Sequence, residues 1–357
     1  MMAKIIGLGR YFPEHIRKNE DWSPELIESF KDHLKRELLD ITDHGLAEKL
    51  DQFSLDNIQK DKSDVFLGAV ERRVIDNNQP SYEIEMEAAQ MAIGQAGVDV
   101  KDIGAVFSYS FMPDRIGLSS AGIIAEKLGI KNAFVSPIDT ACSSQLTQML
   151  ISASLIDSKK VSYILLLASN AMSRGLMMGH PASPGIGDAA VAILLGPDTD
   201  EGHQIINTFA RNHGDYWDAV VWRRPKGDSL NWWQAGGDFY LGSFDSNKAR
   251  ELIQITATTG AETVRSALAE AGMSASDLDF LVAVQPRKWV NTAITRLLGM
   301  PDAASIETYE KYGHIGCCGP VVNLMEAHNQ NLIHPGDIVA LYAQGAGFTR
   351  SATIVKW

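Results

Sequence analysis

The chain has 357 residues, 45% of them hydrophobic and 21% charged, with 44 acidic against 32 basic residues for a formal net charge of −12. That composition builds a sizeable globular core in two structural halves or one large domain, while the acidic surplus repels phosphate backbones and argues against a nucleic-acid partner. No run of about 18 apolar residues stands ready to span a membrane, no secretory signal opens the chain, and three cysteines, two of them adjacent, form neither a disulfide framework nor a metal-ligand spacing, so a reducing cytoplasm with no metal and no cofactor is expected.

In chain order, residues 20–65 are polar and charged, with helical spacing in "PELIESFKDHLKRELLDI", and read as a helical excursion over the surface. Residues 87–110 read as an amphipathic helix, a glycine stop and a strand. "IDTACSSQ" (138–145) sets Cys142 between a hydrophobic run that reads as a strand and a helical pattern. Residues 155–169 then read as a helix end, a polar turn and a buried strand. The stretch 210–245 holds Trp217, Trp222, Trp232 and Trp233, a cluster suited to packing or to lining an acyl or aromatic channel.

The later chain repeats the earlier one. Residues 262–285 match 87–110, with Ala96-Gly97 against Ala271-Gly272 and Asp102 against Asp277, and residues 332–346 match 155–169. Two matched pairs in one order at nearly one offset predict a duplicated α/β fold, with halves at 1–200 (carrying the excursion at 20–65) and 201–357. Under that offset Cys142 lines up with Gly319, both where a strand hands over to a helix.

A lone cysteine among apolar residues is ordinarily a small core side chain. Here the handover places Cys142 at a helix N-terminus, where unpaired N–H groups and the macrodipole favour a thiolate and lower its pKa. A nucleophile therefore stands against a core thiol at this position.

Four segments in order resemble ketoacyl synthase III and its relatives in the thiolase superfamily: "AKIIGLGRYFPEHIRKNED" (3–21), "IDTACSSQ", "GIGDAAVAILLG" (185–196) and "GAGFTRSATIVKW" (345–357). The resemblance implies a five-layered α/β/α/β/α fold of two similar halves and a homodimer, whose paired sheet edge we expect at "YILLLAS". It implies that Cys142 takes an acyl group from a thioester, and that the N–H groups of Cys142 and Gly347 form an oxyanion hole. The family's histidine falls at Val284 and its asparagine at His314, so one histidine is gone and another has appeared across the site. His314 is then the expected base, with Gln285, Trp289 and Gly117 as substrate-binding positions. Asp188, in the third segment, is expected to be structural, and Cys317 and Cys318 to pack near a helix start. The tryptophan that stacks on coenzyme A adenine has no match near 63–66, which favours a carrier-protein-bound donor.

The resemblance thus implies an acyltransferase fed by an acyl-ACP or acyl-CoA donor, passing its acyl group to a small-molecule or carrier-bound acceptor through carbon, nitrogen or oxygen, in secondary metabolism of polyketide type. Decarboxylative condensation with a malonyl-thioester, and a non-catalytic partner subunit, are the alternatives.

Overall fold

The computed structural model describes residues 3–38, 51–198, 201–224, 234 and 240–357. Thirteen strands are seen among them: β1 (Lys4–Tyr11), β2 (His15–Lys18), β3 (Glu71–Val74), β4 (Ile103–Phe111), β5 (Phe134–Pro137), β6 (Tyr163–Asn170), β7 (Ala189–Gly196), β8 (His203–Asn212), β9 (Val221–Arg223), β10 (Tyr240–Gly242), β11 (Phe280–Ala283), β12 (Ile338–Gly345) and β13 (Thr349–Lys356). The helices are α1 (Pro24–Leu38), α2 (Gln52–Asp61), α3 (Ser81–Ala96), α4 (Ser120–Leu128), α5 (Ser144–Asp157), α6 (Ser246–Glu270), α7 (Val290–Leu298), the single turn α8 (Tyr309–Tyr312) and α9 (Gly319–Asn329).

Nine strands hydrogen-bond in the order β11-β12-β13-β8-β1-β7-β6-β4-β5. The link between β8 and β1 is narrow, with Lys4 opposite Gln204 and Ile5 opposite His203, and it divides the ladder into two sheets of one design. In the first, β6 is parallel to β4, β4 to β5, and β7 runs antiparallel to both β6 and β1. In the second, β11 is parallel to β12, and β13 runs antiparallel to both β12 and β8. Ser305 bridges Leu281 in parallel where the second sheet's remaining strand would lie. The duplication expected from the sequence is the duplication seen: α3–β4 and α6–β11 are the first matched pair, β6 and β12 the second.

The layers follow from where the apolar residues sit. β6 and β7 are nearly continuous aliphatic runs, buried on both faces. Leu146 and Met149 of α5 and Val321, Val322 and Leu324 of α9 share one core with strand residues from both sheets, so these two helices form the middle layer. Outside the first sheet lie α3 and α4, with Ile84, Ala88 and Ile124 on it. Outside the second lie α6 and α7, with Val264, Leu268 and Ile294. The result is the α/β/α/β/α order expected.

Three expectations need correction. "YILLLAS" is not an edge: β6 is flanked by β4 and β7, and the free edge of that sheet is β5, whose Phe134 is 62% exposed. The region 20–65 does more than cross the surface. Trp22, Phe30 and Val65 make a small core of their own, and Ile58 of α2 enters the outer core of the second sheet; part of "PELIESFKDHLKRELLDI" lies outside the described residues. The counterpart of Cys142 is Cys317 rather than Gly319. A single 3-10 turn, Ala141–Ser143, leads into α5, and an equivalent turn, Gly316–Cys318, leads into α9. The two matched sequence pairs differ in offset by two residues, and the turn keeps the smaller one. Among the described residues, no helix is long and apolar enough to cross a membrane.

Candidate active site

Cys142 sits in a strained turn that several side chains hold in place. Ala141, just before it, has a φ of 52°, a left-handed conformation that costs an L-residue about 1–2 kcal/mol. Asp139 Oδ1 accepts from the Ala141 N–H at 2.9 Å. Ser144 Oγ accepts from the Thr140 N–H at 2.9 Å and donates to the Ala141 carbonyl at 2.7 Å. Gly345, at the end of β12, closes against this turn: a Cβ there would lie 1.9 Å from the Thr140 carbonyl oxygen and 2.9 Å from the Cys142 nitrogen. Glycine is thus required by contact.

His314 arrives from the other half. Its N–H donates to the Gly185 carbonyl at 2.7 Å, and its carbonyl accepts from the Gly187 N–H at 3.2 Å, so the backbone is pinned on both sides. Its Nδ1 lies 3.0 Å from the Gln285 carbonyl oxygen. A carbonyl only accepts, so Nδ1 carries the hydrogen and Nε2 holds a free lone pair. That Nε2 is 3.6 Å from Cys142 Sγ.

Burial sets the protonation of the pair. It pushes the Cys142 thiol up to about 12, with Cys317 nearby adding to the rise, and the His314 imidazole down to about 4. The helix N-terminus does not produce the low-pKa thiolate expected from the sequence, because removing charge from water outweighs a terminal dipole. At neutral pH the pair is an uncharged thiol beside an uncharged base.

Both side chains open on a cavity of about 680 Å³. One wall is apolar, with Phe111, Met172, Ile186, Trp222 and Leu241 packed together. Residues of α6 and of the segment between β11 and α7 complete much of the lining, among them Leu252, Arg287 and Trp289. Trp217 lies outside the cavity, exposed beside Phe244, and Trp232 and Trp233 fall outside the described residues.

The other anticipated positions divide. Trp289 lines the cavity and donates its indole N–H to Asp61 Oδ2 at 3.0 Å. Val284 lines it and offers no donor. The Gln285 side chain does not reach the cavity: its Oε1 accepts from the Thr308 N–H at 3.2 Å and from Asn323 Nδ2 at 3.1 Å. Gln285 acts here through its backbone carbonyl. Gly347 is also absent from the lining, and its carbonyl accepts from Asn212 Nδ2 at 3.4 Å, whereas Ala346, one residue earlier, faces the cavity. Gly117 is in the loop between β4 and α4, with a φ of 83°, and does not line its own chain's cavity. Asp188 accepts from the Ile75 and Ser173 N–H groups and does not line the cavity. Cys317 and Cys318 are buried, as expected. Sequence reasoning passed over Arg287 and Asp61, although "VQPRKW" displays a cation two residues after Gln285.

Two family models match the chain. The model for 3-oxoacyl-[acyl-carrier-protein] synthase III matches residues 137–214, and the model for the C-terminal part of that synthase matches residues 268–357. The chain is 26% identical over 361 residues, covering all of both chains, to a beta-ketoacyl-[acyl-carrier-protein] synthase III of Sodalis glossinidius (strain morsitans). Among solved structures, the 3-oxoacyl-[acyl-carrier-protein] synthase III of Aquifex aeolicus VF5 superposes with a TM-score of 0.76 at 20% identity, covering 99% of this chain and 100% of that one. The priming beta-ketosynthase of the R1128 polyketide biosynthetic pathway superposes with a TM-score of 0.77 at 18% identity, covering 99% and 96%. At these identities the structural likeness speaks for the fold. Taken with the family models, it shows that the chain resembles ketoacyl-ACP synthase III in sequence and shares the fold of those synthases.

Proposed function

We propose that this chain is an acyl-transfer enzyme in which Cys142 is the nucleophile and His314 the base. One observation carries the reading: a half-buried thiol 3.6 Å from an imidazole nitrogen whose partner nitrogen is held by a backbone carbonyl, at the wall of a large, mainly apolar cavity. His314 Nε2 takes the thiol proton as sulfur attacks the thioester carbonyl. The tetrahedral intermediate collapses, the C–S bond to the donor breaks, and the departing thiol recovers the proton. In the second half an acceptor X–H gives its proton to His314 and attacks the acyl-cysteine, and Cys142 leaves as a thiol. The N–H groups of Cys142 and Ala346 are the oxyanion donors in this proposal, with Ala346 in place of Gly347. Such a donor is worth about 10²–10³ in rate.

The acceptor is carbon, nitrogen or oxygen, carrier-bound or free, and the donor is an acyl-ACP or acyl-CoA. A specialised pathway fits the altered site better than ordinary chain initiation. Decarboxylative condensation with a malonyl-thioester is the second reading, favoured by the name of the Sodalis relative. It needs donors to the developing enolate, yet Val284 has none and the Gln285 amide nitrogen donates to the Lys288 carbonyl and to Glu307 Oε1, each at 3.4 Å.

The working unit is proposed to be a homodimer joined at the β5 edge, since Phe134 is exposed there and Ile116 and Leu118 stand exposed in the preceding loop. Gly117, between them, would then approach the partner's cavity. Light scattering should give about twice the 39.0 kDa chain mass; a monomer at micromolar concentration excludes it. Three free cysteines fit a reducing cytoplasm.

The decisive test is intact-protein mass after incubation with a panel of acyl-CoA and acyl-ACP thioesters. An acyl-sized gain that is blocked by prior alkylation of Cys142 is expected, and its mass names the acyl group. No gain with any donor would favour a non-catalytic subunit. Carbon dioxide release from a malonyl-thioester separates the two enzyme readings.

A further inference from the structure

We propose that Arg287 recognises a carboxylate on the substrate, so that the cavity takes an acid-bearing acyl chain or an acid-bearing acceptor. This rests on the acyl-transfer reading of the same cavity. Among the described lining residues Arg287 is the one lysine or arginine. It is close to the chemistry along the chain, two residues after the carbonyl that orients His314.

Its setting is that of a reader held ready. Arg287 Nη1 donates to Asp61 Oδ2 at 3.0 Å, and the same oxygen takes the Trp289 indole N–H at 3.0 Å. Asp61 is buried at the end of α2 and so fixes the guanidinium by one corner. Among the described residues, the Nη2 and Nε side of Arg287 has no protein partner. A guanidinium presents five N–H donors in a planar fork that matches a carboxylate with two parallel bonds.

A structural tie between α2 and α7 would not need this charge. Burying an ion pair is often no better than packing apolar side chains of similar volume, and Ile58 of α2 already makes such contact with the same core. A cation with open donors in the wall of a mainly apolar cavity is better matched by an anion that enters with substrate. Asp139, the acid on the lining, cannot serve as that anion, since its Oδ1 is engaged by the Ala141 N–H. The helical excursion thereby acquires a task, which is to carry Asp61 to Arg287.

The test uses the full chain and the variants Arg287→Met and Arg287→Lys, read by intact mass over time. Loading of Cys142 by succinyl-, glutaryl- and adipyl-coenzyme A is compared with loading by neutral chains of equal length. If the carboxylate belongs to the donor, an acid-terminated chain loads about tenfold faster than its neutral match. That ratio collapses in Arg287→Met and is intermediate in Arg287→Lys, which keeps the charge and loses the fork. If it belongs to the acceptor, loading shows no such preference. Butyryl-enzyme is then discharged faster by glycine or β-alanine than by their amides, a preference again lost in Arg287→Met. Equal treatment of charged and neutral compounds in both arms, or losses shared equally between them, overturns the proposal in favour of a tether. Iodoacetate and iodoacetamide supply a readout that needs no acyl transfer. Their relative rates on Cys142 should shift several-fold toward the neutral reagent in Arg287→Met, and an unchanged ratio counts against Arg287 even if no donor loads.

Discussion

Two turns of this molecule are built alike and end differently. Ala141–Ser143 leads into α5 and Gly316–Cys318 into α9; each has a cysteine at its centre and a residue with positive φ one place earlier, 52° at Ala141 and 55° at Gly316. Cys142 is partly exposed and faces His314 across 3.6 Å. Cys317 is buried, with its Sγ 3.8 Å from the Ser169 carbonyl oxygen, and Cys318 turns its Sγ to the carbonyls of Ala168 and Ala189. Strands β6 and β7 cover the second turn, and the cavity opens over the first. Backbone geometry therefore does not by itself distinguish the proposed nucleophile from its counterpart. What lies above the sulfur does, and the second turn contributes by bringing His314, two residues before Gly316, to the first.

The largest effect should come from removing the sulfur at one turn or the other. Cys142→Ala is expected to abolish acyl loading while leaving the folded state intact, since thiol to methyl at a helix start removes little packing. A variant that still forms the adduct at the normal rate would place the nucleophile elsewhere. Cys317→Ala should load as the unmodified protein does.

Next in size is the proposed base. His314→Asn should lower acyl transfer by about 10²–10⁴, the usual worth of a general base. The double change Val284→His with His314→Asn should raise malonyl decarboxylation above that of the unmodified protein, because it restores a donor on each side. Rapid decarboxylation by the unmodified protein, lost in His314→Asn, would instead give the second reading the field.

Gly345→Ala probes the contact between the two halves at Cys142. The added Cβ cannot fit 1.9 Å from the Thr140 carbonyl, so the turn must shift. A displacement near 1 Å costs on the order of 10²-fold in rate, together with about 1–3 kcal/mol of stability from overpacking. Denaturant unfolding and loading rates measured together would show a smaller effect on both if the turn is free to relax.

The pH dependence should be mild. With His314 pushed down to about 4 by burial, the imidazole remains the free base above that value and keeps its capacity to take the thiol proton. Loading should hold steady from about pH 8 to about pH 5.5 and decline only as pH nears the lowered value, whereas a histidine at its ordinary value of about 6.5 would halve the rate there. A midpoint near neutrality would mean that the pair is more solvated than its burial implies. Smallest of all, Cys317→Ala should cost about 1 kcal/mol of stability from a small buried void, visible as a shifted urea midpoint with unchanged slope.

Much of this was legible in the residues alone. Repeated helix–glycine–strand segments betray a duplication because both copies obey the same periodicities, and those are local. Cys142 and His314, which the fold brings together at one cavity, could be picked out as candidates because each stands inside a short motif whose neighbours are contiguous in the chain. Tertiary structure decided the rest. It made β5 the edge instead of β6, since strand order depends on crossovers that no segment encodes by itself. It turned the Gln285 amide toward Thr308 and Asn323 and aimed Ala346 rather than Gly347 at the cavity, because side-chain and peptide direction at a strand end depends on what is packed against it. It raised the thiol's pKa where a helix terminus alone would lower it, because desolvation sums over neighbours drawn from both halves. And it brought Asp61 to Arg287 across more than two hundred residues, a meeting of charges that only the folded chain can arrange.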